Sequence, residues 1–178
     1  LNTVPGVNVQ MNSGQELIMA IRSPVLPAGA GQGSFLILEN GVPTRAAGFG
    51  NVNGLFEVHH ETAEAIEVVR GPASVRYGSN AVHGLTNFID PEPGAQQGQT
   101  LSLSANSLQR YRADATANFA TNGVANWAGL SVMKDGGWRD FSGVDQQKLT
   151  LRSKFGGETW NIVTTLAAVN LNQETAGF

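Results

Sequence analysis

Beyond residue 98 the sequence alternates between two kinds of side chain, and this alternation constrains the fold more than any other feature. Thr100–Ala105 reads T-L-S-L-S-A, Arg112–Phe119 reads R-A-D-A-T-A-N-F and Lys148–Phe155 reads K-L-T-L-R-S-K-F. Trp160–Ala168 keeps the same beat, and so does Ala128–Lys134, with Leu130 and Val132 in phase. A period of two belongs to β-strands, whose successive side chains point to opposite faces. One face is modestly apolar; the other carries Arg112, Asp114, Lys148, Arg152 and Lys154. Each segment is about ten residues long, the length a tilted strand needs to cross a bilayer.

The connections point the same way. Asn122-Gly123 and Gly156-Gly157 read as minimal hairpin turns. The other connections are Ser107–Tyr111 and the longer Asp135–Asp145. Short turns alternating with longer loops is the pattern of outer-membrane barrels. The expected strands lie near 99–107, 112–120, 126–134, 146–155 and 158–169, in a consecutive antiparallel meander. Phe119, Trp127, Phe155 and Trp160 fall beside the short turns, as an aromatic girdle requires. Trp127 is out of phase with Leu130 and Val132, so it needs a bulge or faces inward. A soluble antiparallel sheet also alternates, and the pattern alone leaves that alternative open.

Composition narrows the function classes. The 22 glycines in 178 residues are about 12%, against about 7% on average, while charged residues make up only 14%. With a net charge of −3 and no concentrated basic run, the chain does not read as a nucleic-acid binder. Cysteine is absent, which removes disulfides, thiolate metal sites and thiol catalysis. No run of about 18 apolar residues is present for a spanning helix.

Residues 1–91 follow a different grammar. Leu17–Ile21, Phe35–Leu38, Ile66–Val69 and Leu85–Ile89 are apolar runs of strand length bounded by Gly, Pro, Asn or Ser. Asn40-Gly41 marks a tight turn into Val42-Pro43. Glu61–Ala65 and Ala73–Arg76 are each long enough for only a short helix, and Glu61 and Glu64 read as its solvated face. The expectation is a small α+β domain around a mixed sheet built from the four runs, with Ile66–Val69 central. Ile66 and Val68 then face inward, Pro72 suits the first helical turn, and Gly78 ends the helix with a left-handed cap. Residues 92–98 read as a linker by composition.

The order of motifs in this half resembles the plug domain of TonB-dependent outer-membrane receptors. Val4-Pro5-Gly6-Val7 is similar to the plug opening, Ile18–Arg22 to a strand that normally ends in Arg-Gly, and Leu36–Pro43 to a strand-turn "DGVP" element. The most specific block is AIEVVRGPASVRYGSNAVHGLTNFI, residues 65–89, with Glu67, Arg70, Gly71, Pro72, Tyr77, Gly78 and Gly84 on the family motif. His83 stands where Gly is usual. The resemblance implies an α+β plug over residues 1–91, a linker at 92–98, and the first strands of a 22-stranded barrel over 99–178. It places the signal peptide, the N-terminal TonB box and most of the barrel outside this chain.

The implied function is TonB-dependent active uptake across the bacterial outer membrane, most simply of a ferric siderophore, with cobalamin, haem or oligosaccharide as alternatives. The implied partners are TonB, an extracellular metal chelate and outer-membrane lipid. No cofactor and no enzymatic activity are expected. By resemblance, Arg70, and with it Arg22, locks the plug to acidic residues of the barrel wall; the plain reading is an arginine satisfied by Glu67 or by backbone. Loops Pro24–Ser34 and Thr44–Val58 are the expected ligand-facing apices, where Arg45, Phe49, Asn51, Asn53 and Phe56 offer cationic, aromatic and amide groups.

Other readings are weaker. Gly29–Gly33 lacks the lysine of a phosphate loop and precedes a strand. His59 and His60 point to opposite faces of an extended chain, so a shared metal is not expected; haem ligation by one of them is the alternative to a solvated or hydrogen-bonded histidine. A passive pore conflicts with the separate domain at 1–91. A soluble binding module leaves Phe119, Phe155 and Trp160 without cover.

Overall fold

The computed structural model describes residues 1–11, 17–22, 35–44, 58–157 and 159–174. It divides into two compact units, Leu1–His60 with Glu64–Asp90, and Glu61–Ala63 with Pro91–Phe178.

In the first unit, β3 (Phe35–Glu39), β4 (Val42–Pro43), β5 (Ala65–Arg70) and β6 (Gly84–Ile89) form a mixed sheet in the order β4-β3-β6-β5. Strands β3 and β6 run parallel; the other two pairings are antiparallel. Ile66–Val69 therefore sits at the edge, not at the centre. Leu17–Ile21 does not join this sheet either: as β2 it pairs with β1 (Val7–Met11) in a separate two-stranded ribbon.

The ribbon explains why Phe35–Leu38 is apolar throughout. Leu36, Leu38 and Leu85 pack with Ala73 and Ala81, with Val69 and Tyr77 against them. Phe35, Ile37 and Val68 lie against the buried Val7, Met19 and Ile21 of the ribbon. Both faces of the sheet are thus covered, and a strand covered on both faces reads as a continuous apolar run. The expected facing of β5 fails for the same reason. Val69 is core on one face and Val68 on the other, while Ile66 on the open edge strand is exposed.

Turn chemistry behaves as its residues dictate. Asn40 (φ 51°) and Gly41 (φ 81°) form the tight β3–β4 turn, and such two-residue turns need positive φ at both positions. The turn is tied to β6, since Asn87 Oδ1 accepts the Gly41 N–H at 2.9 Å and Asn40 Nδ2 donates to Asp90 Oδ2 at 2.7 Å.

Between β5 and β6 the motif folds into a closed excursion, with the Gly71 N–H bonded to the His83 carbonyl and the Ala73 N–H to that of Ala81. Its tip is α1 (Ser74–Tyr77), N-capped by Ala73, so Pro72 lies ahead of the helix and not in its first turn. Gly78 ends α1 at φ 82° and ψ −151°, a glycine conformation but not the expected left-handed cap. Glu61–Ala65 is not helical, and Ala65 already belongs to β5.

Gly84 closes the excursion where no side chain fits, because a Cβ would lie 2.5 Å from the Val69 carbonyl oxygen and 3.1 Å from Ile21. Gly84→Ala is therefore expected to destabilise this unit by about 1–3 kcal/mol through overpacking. Urea unfolding of the first unit followed by circular dichroism reads the effect, and an unchanged midpoint would contradict this packing.

Among the described residues of the second unit, β7 (Gly98–Ala105), β8 (Arg110–Thr121), β9 (Val124–Asp135), β10 (Val144–Gly156) and β11 (Asn161–Gln173) form a consecutive antiparallel meander. The last four strands run to 12 or 13 residues, longer than the alternation suggested, because in-register pairing continues past the alternating stretch. Asn122 (φ 51°) and Gly123 (φ 80°) make the two-residue β8–β9 turn. The β10–β11 connection differs from the expected Gly156-Gly157 turn. Gly156 pairs with Asn161, leaving residues 157–160 to connect, closed by the Gly157 N–H on the Trp160 carbonyl at 2.9 Å. Both connections lie at one end of the sheet, and 136–143 lies at the other.

Candidate functional site

The sheet of the second unit is inside-out relative to a water-soluble one. On β9, Trp127, Gly129, Ser131 and Met133 are buried while Leu130 and Val132 are exposed; on β10, Gln146, Lys148, Thr150 and Arg152 are buried while Leu151 is exposed. Across the strands the exposed set continues through Leu101, Leu103 and Leu166, at 69%, 71% and 62% of full accessibility. The polar face is the packed one, and the apolar face has no protein cover among the described residues. A barrel wall in lipid requires this arrangement.

Strand length agrees. Twelve residues at about 3.3 Å each, tilted by about 40°, rise about 30 Å, the thickness of a bilayer's hydrocarbon core. Phe119, Phe155 and Trp160 are exposed at the turn end. Trp127 is not with them: it is 2% exposed, on the buried face opposite Arg152. Its ring fills the hollow over Gly129, where a Cβ would come within 2.7 Å of the indole. Tyr111, eight residues from Phe119 on the same face of β8, supplies an exposed aromatic towards the opposite end. Its phase with Phe119 was the available signal for this second aromatic level.

The buried face is also where the charges are, and it is unbalanced. Arg110, Arg112, Lys148, Arg152 and Lys154 share it with two acidic side chains of the strands, Asp135, which pairs with Arg110 at 3.0 Å, and Asp114. Asp114 is consumed locally, accepting from Arg112 Nε at 2.7 Å and from Ser131 Oγ at 2.6 Å. The three remaining cations draw their acceptors from residues before β7. Arg152 donates to the Pro91 carbonyl at 3.0 Å, and Lys154 pairs with Glu92 at 2.5 Å. Asn118 adds two bonds to the same stretch, donating to the Glu92 carbonyl at 3.1 Å and accepting the Gly94 N–H at 2.6 Å. The segment that composition marks as a linker is thereby laid against the strands.

Lys148 is the most demanding case. Its side chain is 0% exposed, and its ammonium lies 3.1 and 3.0 Å from the two carboxylate oxygens of Glu61, itself 4% exposed. Reading Glu61 as one face of a solvated helix was wrong: it is a buried counter-ion in the strand unit. The excess of cations on one face of β8–β11 was the signal that acidic partners had to come from elsewhere.

The family-motif residues of the first unit are brought together around the β5–β6 excursion. Arg70 donates through Nη1 to the Pro5 carbonyl at 2.9 Å, so its partner here is backbone. Glu67 accepts from Asn87 Nδ2 at 3.0 Å. Arg22 is exposed at φ 49°, its N–H bonded to the Gly6 carbonyl. The Arg76 guanidinium sits 5.4 Å from the Tyr77 ring centre. His59 is buried, and His60 Nδ1 lies 3.4 Å from the Val58 carbonyl oxygen, its ring 6.2 Å from Phe88. Among the described residues no group of three or more His, Asp or Glu side chains could hold a metal. Arg45, Phe49, Asn51, Asn53 and Phe56, with loop Pro24–Ser34, lie outside the described residues.

Residues 1–85 match the TonB-dependent receptor plug domain. Over 181 aligned residues the chain is 27% identical to the vitamin B12 transporter BtuB of Vibrio vulnificus (strain CMCP6), covering 99% of this chain. It spans 27% of that transporter's length. Among solved structures, the copper transporter OprC aligns with a TM-score of 0.72 and 20% identity, over 98% of this chain and 27% of that one. The pyoverdine outer membrane receptor of Pseudomonas aeruginosa PAO1 aligns with a TM-score of 0.70 and 16% identity, over 93% of this chain and 23% of that one.

Proposed function

We propose that this chain is a TonB-dependent receptor of the outer membrane, a reading supported by its match to the plug domain over residues 1–85, and that it supplies the gate and part of the wall of a transporter that takes up a scarce metal chelate. The observation that carries the reading is the inside-out sheet directly behind a plug domain. Residues 1–91 act as the plug, 92–98 as the connection laid along the wall, and 99–178 as wall strands. Relatives named for vitamin B12, copper and pyoverdine support a metal-bearing ligand, and a ferric siderophore is our first choice. Arg45, Phe49, Asn51, Asn53 and Phe56 are the proposed ligand contacts. Arg70 and Arg22 are the proposed locking residues towards acidic groups on wall strands beyond this chain. TonB is the proposed partner that energises uptake, and no step of the function calls for bond-making chemistry.

Uptake of radiolabelled ferric siderophores, copper and cobalamin by cells expressing the complete receptor tests this, with and without TonB. Accumulation of one ligand that collapses without TonB, while surface binding persists, is the expected result. Equal accumulation in both strains would indicate a passive pore and overturn it.

The wall reading carries its own prediction. Leu130→Arg, midway along β9 on the exposed face, is expected to cost the complete receptor about 2–4 kcal/mol in lipid, whereas Tyr111→Arg at the loop end of β8 costs about 0–1 kcal/mol. Unfolding from vesicles by denaturant measures both, and equal costs would contradict a lipid-facing Leu130.

A further inference from the structure

Three residues of the plug sequence do not pack with the rest of it. His60 and everything described before it belongs to the first unit, and so does the chain from Glu64 onward, whose N–H bonds the Ile89 carbonyl as β5 begins. Glu61–Ala63 groups instead with the wall strands. Two independent features hold it there. The Glu61 carboxylate receives the buried Lys148 ammonium on both oxygens. Thr62 is buried at Gly129, where a Cβ would come within 2.9 Å of its hydroxyl oxygen and 2.7 Å of the Trp127 ring. The hollow made by one glycine thus accepts both a plug threonine and a wall tryptophan.

A buried pair of this kind resists separation more than ordinary packing does, because parting it strands two charges in a medium of low polarity. We propose that Glu61–Ala63 is a fixed anchor: it stays on the wall while the plug on either side rearranges during transport, and Lys148 is the positioning residue that clasps it. The proposal rests on the uptake reading given above. It divides the plug into segments before residue 61 and after residue 63 that move separately about a point that does not.

Two measurements on the complete receptor test the anchor. In the first, hydrogen exchange is followed in detergent. Lys148→Gln is expected to raise exchange across residues 58–64 at least tenfold while β6 keeps its protection, and the swap Glu61→Lys with Lys148→Glu restores the wild-type rate. Unchanged protection in Lys148→Gln would overturn the clasp. In the second, Glu61→Cys and Lys148→Cys are bridged by a short bis-maleimide. Uptake by the bridged protein should stay within twofold of the unbridged one. A loss of more than tenfold on bridging would show that the segment must leave the wall, and would overturn the anchor. If the wild-type receptor takes up no ligand, the uptake reading falls, and the exchange experiment still decides whether Lys148 clasps the segment.

Discussion

Purified without detergent, residues 1–178 are expected to run as large aggregates on size-exclusion chromatography with light scattering, and to become monodisperse only in micelles. The exposed face of the meander is the cause. Its strands are about 40 Å long and its five strands span about 19 Å, which gives on the order of 750 Å². Apolar patches on soluble monomers are on the order of 300–600 Å² at most. Leu101, Leu103, Leu130, Val132, Leu151 and Leu166 stand on that face, and covering each side chain is worth about 1.5–3 kcal/mol. In this chain β7 and β11 are also the open edges of the sheet, with backbone groups ready to pair with a second copy. A monodisperse monomer with a cooperative melt in plain buffer would favour the soluble binding module over the barrel wall.

Lys148→Met in the complete receptor is expected to cost about 3–5 kcal/mol, the penalty for leaving Glu61 as a lone buried carboxylate. Replacing both partners, Lys148→Met with Glu61→Leu, is expected to be neutral or even stabilising by about 1–4 kcal/mol, since an apolar pair needs no desolvation. Stability is read from denaturant unfolding of the complete receptor in detergent, as a double-mutant cycle. The non-additivity separates a true buried pair from two unrelated packing contacts. Additive losses would mean that the carboxylate and the ammonium do not depend on each other.

Much of the second unit is legible one residue at a time. The alternation of Leu101, Leu103, Leu149 and Leu151 with polar residues assigns each side chain to a face, and Asn122-Gly123 supports only the turn observed. Trp127 breaks that alternation, and its break is real: it faces the packed side, where Gly129 leaves room for its ring. The first unit is less legible. Phe35–Leu38 announces a strand covered on both faces but not what covers it, and nothing local distinguishes an edge position for Ile66–Val69 from a central one. The motif arginine is similar, since Arg70 shows only that it needs acceptors. The Pro5 carbonyl, 65 residues away, is a partner that only the assembled first unit could supply.

The sequence by itself determined most of the strand unit: its five strands, the face most side chains take and the Asn122-Gly123 turn follow from steric preferences that act between near neighbours. The tertiary structure alone decided the strand order of the first unit, the inward turn of Trp127 and the pairing of Glu61 with Lys148, 87 residues apart. Alternation reports which face a lysine occupies. Which carboxylate meets it depends on the free energy of removing both from water together, a quantity that exists only once distant segments have packed.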